Sequence, residues 1–211
     1  MSIQTIINQD CLEYMKTLPD KSFDLVLTDP PYGIGDTFIP FSSGLSPGKL
    51  NRVHEVMDWD DEIPSKEVFE QINRVGKKVV IWGANYFNCF SKDGGALVWY
   101  KNKGAETLSQ CEIASVSFQK KVDYVFIQSL GGFCANESNF HPTQKPLKLM
   151  QYCIENYSKE SDTILDPFMG SGTTLVACKH LNRNCVGVEI SKKYCDIAQE
   201  RLDSTPTPMF Q

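Results

Sequence analysis

The sequence predicts an α/β fold built on a mostly parallel sheet. Three observations point there. Short apolar runs alternate with amphipathic helical patterns along the chain. One run, Phe23–Thr28 (FDLVLT), reads as a strand covered on both faces. A glycine-rich turn, Asp166-Pro-Phe-Met-Gly-Ser-Gly-Thr-Thr174, stands between a short strand pattern and a helical one.

Taken in order, Thr5–Asn8 is a strand pattern, and Cys11–Leu18 places Leu12, Met15 and Leu18 on one helical face. Phe23–Thr28 follows. Ser65–Val75 reads as a helix and Lys77–Trp82 (KKVVIW) as the next strand. Ala96–Tyr100, Glu112–Phe118 and Val122–Ile127 read as strands near an antiparallel edge. Pro146–Tyr157 is helical, with proline suited to a first turn. Thr163–Asp166 is a strand, Ser171–Leu181 a helix, Asn184–Ile190 a strand and Lys192–Leu202 a final helix. Two prolines mark 204–211 as a frayed tail. The stretch 33–64 breaks this rhythm with four Gly and three Pro, and a loop so long in one domain is usually functional.

The chain has 211 residues, 41% hydrophobic and 22% charged, which fits one globular domain spanning 1–211. No apolar run approaches a membrane span, and Met1-Ser2-Ile3-Gln4 lacks a leader's basic and apolar regions. Eight cysteines show no C-x-x-C spacing and no zinc-type partnering with histidine. They read as small hydrophobes of a reducing cytoplasm, with no metal site.

In the glycine turn, Gly170 and Gly172 allow a tight bend and close approach of a ligand to backbone. Ser171, Thr173 or Thr174 is placed to cap the following helix, whose dipole favours an anionic group near its amides. Glu189 ends the next strand, at the spacing of a carboxylate that hydrogen-bonds a ribose diol. Together these point to a nucleoside cofactor. A phosphate-cradling loop is excluded, because Gly44–Lys49 has the wrong spacing and Leu50 takes the Ser/Thr position.

The strand Phe23–Thr28 runs straight into Asp29-Pro30-Pro31-Tyr32. Two prolines stiffen the turn and remove two backbone donors. A carboxylate and a rigid carbonyl at a strand end make an acceptor pair for an –NH₂ group. The ring of Tyr32 offers a stacking face beside it. Such a pocket suits a planar base with an exocyclic amine.

These residues resemble those of the amino-methylating DNA methyltransferases, which place a methyl from S-adenosylmethionine on adenine N6 or cytosine N4. The resemblance covers nearly the whole chain. Asp29-Pro30-Pro31-Tyr32 looks like the family's catalytic motif. Asp166, Pro167, Phe168, Gly170, Ser171, Gly172, Thr173 and Thr174 look like its cofactor turn, and Glu189 like its ribose ligand. Asp10, with Cys11 beside it, looks like the contact to the cofactor adenine, and Asp29 also borders the cofactor. His141-Pro-Thr-Gln-Lys-Pro146 looks like the segment placed before the turn, with Thr143 and Lys145 its cofactor contacts. Catalytic motif first and cofactor turn last is similar to the β group. The resemblance therefore implies a Rossmann-like methyltransferase fold with circularly permuted motif order. It implies the two motif strands side by side at the sheet centre and the first strand near the last.

Asp in the first motif position and Tyr in the fourth lean the resemblance towards adenine N6, with cytosine N4 the alternative. The amine is inaccessible within a duplex, so the base is expected to be flipped out. The chain lacks a Pro-Cys motif, which argues against cytosine C5 chemistry. An RNA or protein-amide methyltransferase would use a similar turn, but Asp at position 29 and the permuted order favour DNA. A non-catalytic binding module would be expected to lose part of a motif. A nicotinamide-dependent oxidoreductase would leave the Asp-Pro-Pro-Tyr turn unexplained.

The formal net charge of −5 is unevenly spread. Residues 1–64 carry 4 basic and 11 acidic groups, residues 65–150 carry 11 and 7, and residues 151–211 carry 6 and 8. The basic middle third suggests that Lys101, Lys103, Lys120 and Lys121 meet DNA phosphates. The β group usually places target recognition before the His-Pro-Thr segment. Here that region, 102–140, spans only 39 residues. Recognition then falls to loops or to a second subunit of a homodimer. The 33–64 loop follows the catalytic turn and is expected to close over the flipped base or the cofactor. His54 and the acidic cluster Asp58-Trp59-Asp60-Asp61-Glu62 read as loop surface and a hinge.

Overall fold

The computed structural model describes residues 2–33, 63–101, 109–128 and 144–206. Its strands are β1 (Gln4–Asn8), β2 (Phe23–Thr28), β3 (Gly76–Trp82), β4 (Gly95–Tyr100), β5 (Cys111–Val116), β6 (Val122–Phe126), β7 (Thr163–Asp166) and β8 (Asn184–Glu189). The helices are α1 (Cys11–Lys16), α2 (Lys66–Val75), α3 (Ala84–Phe87), α4 (Leu147–Tyr157), α5 (Thr173–His180) and α6 (Lys192–Ser204). The strands form one sheet in the order β1-β8-β7-β2-β3-β5-β4-β6.

The sequence assigns every strand to within two residues. Asn85-Tyr86-Phe87 reads from the sequence either as base-pocket lining or as a helix start, without a helical range, because the four residues of α3 are too few to show a 3.6-residue period. Of the described strands only β5 runs against its neighbours, β3 and β4. It lies inside the sheet, with β4 and the parallel β6 beyond it, rather than at the edge. The motif strands β2 and β7 pair directly in parallel, and β1 pairs in parallel with β8, setting Asn8 opposite Glu189.

Side chains of the central strands alternate between two apolar clusters. Leu25 and Leu27 enter one, packed under α4, α5 and α6. Val26 enters the other with Met15 of α1 and Val68, Ile72 and Val75 of α2. That helical trio follows the i, i+4, i+7 spacing of one buried face. Cys153, Cys178, Cys185 and Cys195 are free and buried. Among the described residues no helix is long and apolar enough to cross a membrane. Residues 1, 34–62, 102–108, 129–143 and 207–211 lie outside the described residues. Most of the 33–64 loop, about half of the 102–140 region, His54, the acidic cluster, Lys103, His141, Thr143 and the tail's last five residues fall among them.

Candidate active site

Because β2 and β7 are parallel neighbours, Asp29 and Asp166 emerge at the same edge of the sheet. Asp166 ties the two turns together. Its Oδ1 accepts from Thr28 Oγ1 at 2.9 Å and from Phe168 N at 3.1 Å, and its Oδ2 accepts from Thr174 Oγ1 at 2.6 Å. Burial pushes the carboxyl up to about 6, against the pull of these donors. Thr174 is thus spent on Asp166 rather than on a helix cap. Ser171 and Thr173 do not cap either: the residue that precedes α5 is Gly172, in the left-handed conformation with φ 81° and no side-chain cap. A Cβ on Gly172 would stand 2.8 Å from Cβ of Ala198, so glycine also permits the close approach of α6. From α6, Arg201 Nη1 donates to Ser171 O at 2.6 Å, Ser171 Oγ at 2.9 Å and Thr173 Oγ1 at 3.2 Å.

Glu189 and Asp10 stand at the ends of the paired strands β8 and β1. Glu189 Oε2 accepts from Gly170 N at 3.1 Å and Oε1 from Ser191 N at 2.7 Å, and burial raises its carboxyl. Asp10 caps α1 through Glu13 N at 2.9 Å. Burial, reinforced by the Asp10 charge, pushes the Cys11 thiol up to about 12, so it stays protonated.

At the other motif, Tyr32 OH donates to Asp29 Oδ1 at 2.6 Å, and Lys145 Nζ donates to Asp29 Oδ2 at 2.6 Å and to Tyr32 OH at 2.9 Å. Burial raises the Asp29 carboxyl, and Lys145 opposes it. The Tyr32 ring is stacked on Tyr86 at 4.6 Å and 18°, with the edge of Phe87 at 5.7 Å. The aromatic platform is therefore a pair, and Tyr86 is its exposed member. Gly83, with φ 71°, lies against the Tyr32 ring.

One cavity of about 490 Å³ is walled by both ends of this arrangement. Asp10, Cys11 and Glu189 line it, as do Asp29, Pro30, Pro31 and Tyr32, and Asp166, Pro167, Phe168, Gly170, Ser171, Thr173, Thr174 and Lys145. Gly172 shapes the turn without lining the cavity. Four carboxylates against one ammonium in these walls suit a cationic occupant, and Phe168, Met150 and Met169 add apolar surface. Sequence reading missed Glu112, Gly83 and Arg201. Of these only Glu112 leaves a trace, as a lone charge inside an otherwise uncharged strand run.

The lysines expected at phosphates separate. Lys101 turns inward, pairs with Glu112, lies 4.7 Å from the Trp99 ring centroid and is 12% exposed. Lys120 is exposed, and Lys121 is exposed and paired with Asp123 at 2.8 Å.

Comparison with known proteins bears on this geometry. The sequence model of a DNA methylase family, covering N6 and N4 amino-methylation, matches residues 84–200. The putative methylase YubD of Escherichia coli (strain K12) is 30% identical, over 97% of this chain and 92% of its own length. The type II methyltransferase M.HpaI of Haemophilus parainfluenzae is 28% identical, over 95% of this chain and 74% of its own. Among solved structures, the M1.HpyAVI–SAM complex superposes with a TM-score of 0.61 at 25% identity, covering 95% of this chain and all of that one.

Proposed function

Since the chain belongs to the DNA methylase family of amino-methyltransferases, we propose that it transfers a methyl group from S-adenosylmethionine to the N6 amine of an adenine flipped out of DNA. The observation that carries this reading is the shared cavity, with Asp29 and Tyr32 on one wall and Asp10 and Glu189 on another. Its acidic walls fit a cationic sulfonium, and Glu189 and Asp10 are suited to an adenosine's hydroxyls and amine.

S-adenosylmethionine supplies an already activated methyl, whose sulfur leaves with the bonding electrons as the amine nitrogen attacks, so no protein nucleophile is needed. The chain's own task is positioning. Each carboxylate oxygen accepts two hydrogen bonds, so Tyr32 and Lys145 leave Asp29 capacity for the target amine. Asp29 and the Pro30 carbonyl accept the two amine hydrogens and turn the nitrogen lone pair towards the methyl. Asp29 then carries the surplus proton to water. Tyr32 and Tyr86 form the stacking surface for the base.

Asp and Tyr in the motif favour adenine. Cytosine N4 is the alternative, since it offers the same –NH₂ to the same acceptors. Mass spectrometry of nucleosides from DNA treated with the enzyme and cofactor tests the choice. N6-methyladenine is expected, and N4-methylcytosine would replace this reading. Asp29→Ala is expected to lower methyl transfer at least about 100-fold while calorimetric cofactor binding largely survives. Near-normal activity in that variant would remove Asp29 from the chemistry.

A further inference from the structure

The buried charges around Asp29 extend beyond the residues this chemistry uses. Lys145 Nζ lies 2.6 Å from Asp29 Oδ2 and 3.0 Å from Glu112 Oε2, and Lys101 ends the row on Glu112 Oε1. Side-chain exposure is 7% for Lys145, 20% for Glu112 and 12% for Lys101, so solvent screens these pairs weakly. The four charges alternate in sign.

We propose that Glu112 and Lys101 are positioning residues that anchor the Lys145 ammonium against Asp29, and that Lys145 serves to set the charge of Asp29 rather than to hold the cofactor. The inference rests on the methyl-transfer reading above.

Three arguments support it. Asp29 can accept an amine hydrogen beside Tyr32 and Lys145, and later the surplus proton, as a carboxylate; protonated, it gains an O–H donor and cannot take that proton. Burial favours the protonated form, and the ammonium in contact with it opposes that. Lys145 in turn is buried, which would strip its proton, but Asp29 and Glu112 outweigh the desolvation and raise it. Glu112 is likewise held below the usual range, its burial outweighed by Lys145 and Lys101. Finally, Lys145 Nζ donates to Asp29 Oδ2 and to Tyr32 OH, and Glu112 Oε2 stands 3.0 Å away as an ion-pair partner that holds the ammonium on this side. Two of the three donors are thus taken by Asp29 and Tyr32, and the two carboxylates beside the ammonium already balance its charge.

The test compares wild type with Lys145→Met, Lys145→Gln, Lys145→Arg and Glu112→Gln. Three readouts are taken: the pH profile of single-turnover methylation, calorimetric cofactor affinity, and ¹³C-carboxyl NMR titration of Asp29. The two neutral variants are expected to move the acid limb, and the Asp29 titration, upward by at least about one pH unit. Activity near pH 7 falls about 10-fold or more and returns on raising the pH, while cofactor affinity stays within about threefold. Lys145→Arg restores the limb. Glu112→Gln removes one of the anions on Lys145, so the alkaline limb moves to lower pH. An unmoved Asp29 titration in either neutral variant overturns the proposal, as does a pH-independent loss of activity. A cofactor affinity weakened about 10-fold with unchanged limbs returns Lys145 to cofactor binding. Wild-type enzyme that methylates no DNA would instead overturn the methyl-transfer reading. The NMR titration still decides the Asp29–Lys145 coupling in that case.

Discussion

Gly83 and Tyr32 pack with no room for a side chain between them: a Cβ at residue 83 would stand 2.3 Å from Cε1 of the Tyr32 ring. The glycine follows β3, adopts a left-handed φ of 71°, and opens the short helix that carries Tyr86 and Phe87. It thereby seats the ring that hydrogen-bonds Asp29.

Gly83→Ala is accordingly expected to cost about 2–4 kcal/mol, from the left-handed backbone and the overlap together. It should also lower kcat about 10-fold or more at a temperature where the variant remains folded, because Tyr32 must move off Asp29. Thermal melts and steady-state methylation check both. A variant as stable and active as wild type would mean that the ring has another seat.

Arg201 supports the Gly170–Gly172 turn from behind, through one carbonyl and two hydroxyl oxygens. Charge-assisted bonds of this kind contribute about 1.5–3 kcal/mol. Arg201→Met should weaken S-adenosylmethionine binding roughly 10-fold while kcat at saturating cofactor stays within about threefold. Calorimetry and a kcat-against-KM comparison separate this from a loss of chemistry.

Asp166 makes stability depend on pH. Its folded value, about 6, lies above the usual 3.8, so its protonated form favours the native state. That contribution is full below pH 3.8 and is lost as pH rises through about 6, a difference of about 3 kcal/mol at ~1.4 kcal/mol per pH unit. Asp166→Asn stays uncharged, and should flatten the dependence of unfolding free energy on pH between 4 and 7. Denaturant titrations across that range read it directly.

For DNA, the exposed pair Lys120 and Lys121 carries the expectation. Replacing both with Ala should weaken binding and reduce the slope of log K against log salt by about 1–2. Lys101→Ala should leave that slope alone and act on catalysis, since Lys101 is committed to Glu112.

Much of this was legible in the chain. Phe23–Thr28 and Thr163–Asp166 carry their strand signal in local composition. The Pro-Pro pair and the Gly170/Gly172 turn limit their own backbones whatever surrounds them. The neighbourhood of Asp29 was not legible. Lys145 is 116 residues away along the chain, and sheet register alone brings Glu112 to it. The charge count that placed Lys101 on a phosphate-facing surface sums over a third of the chain. It carries no information on which way one side chain turns.

The single reversed strand has a consequence for variation. A parallel strand offers the edge near Asp29 its last residues, whereas β5 offers its first, Cys111 and Glu112. Pairing with β4, from Gly95 opposite Val116 to Tyr100 opposite Cys111, fixes Glu112, and Lys101 N to Gln110 O at 2.9 Å closes that ladder. Insertions or deletions between those two residues would leave Glu112 in register. The interval is thus a place where chain length can vary under selection while the row of buried charges from Lys101 to Asp29 is inherited unchanged.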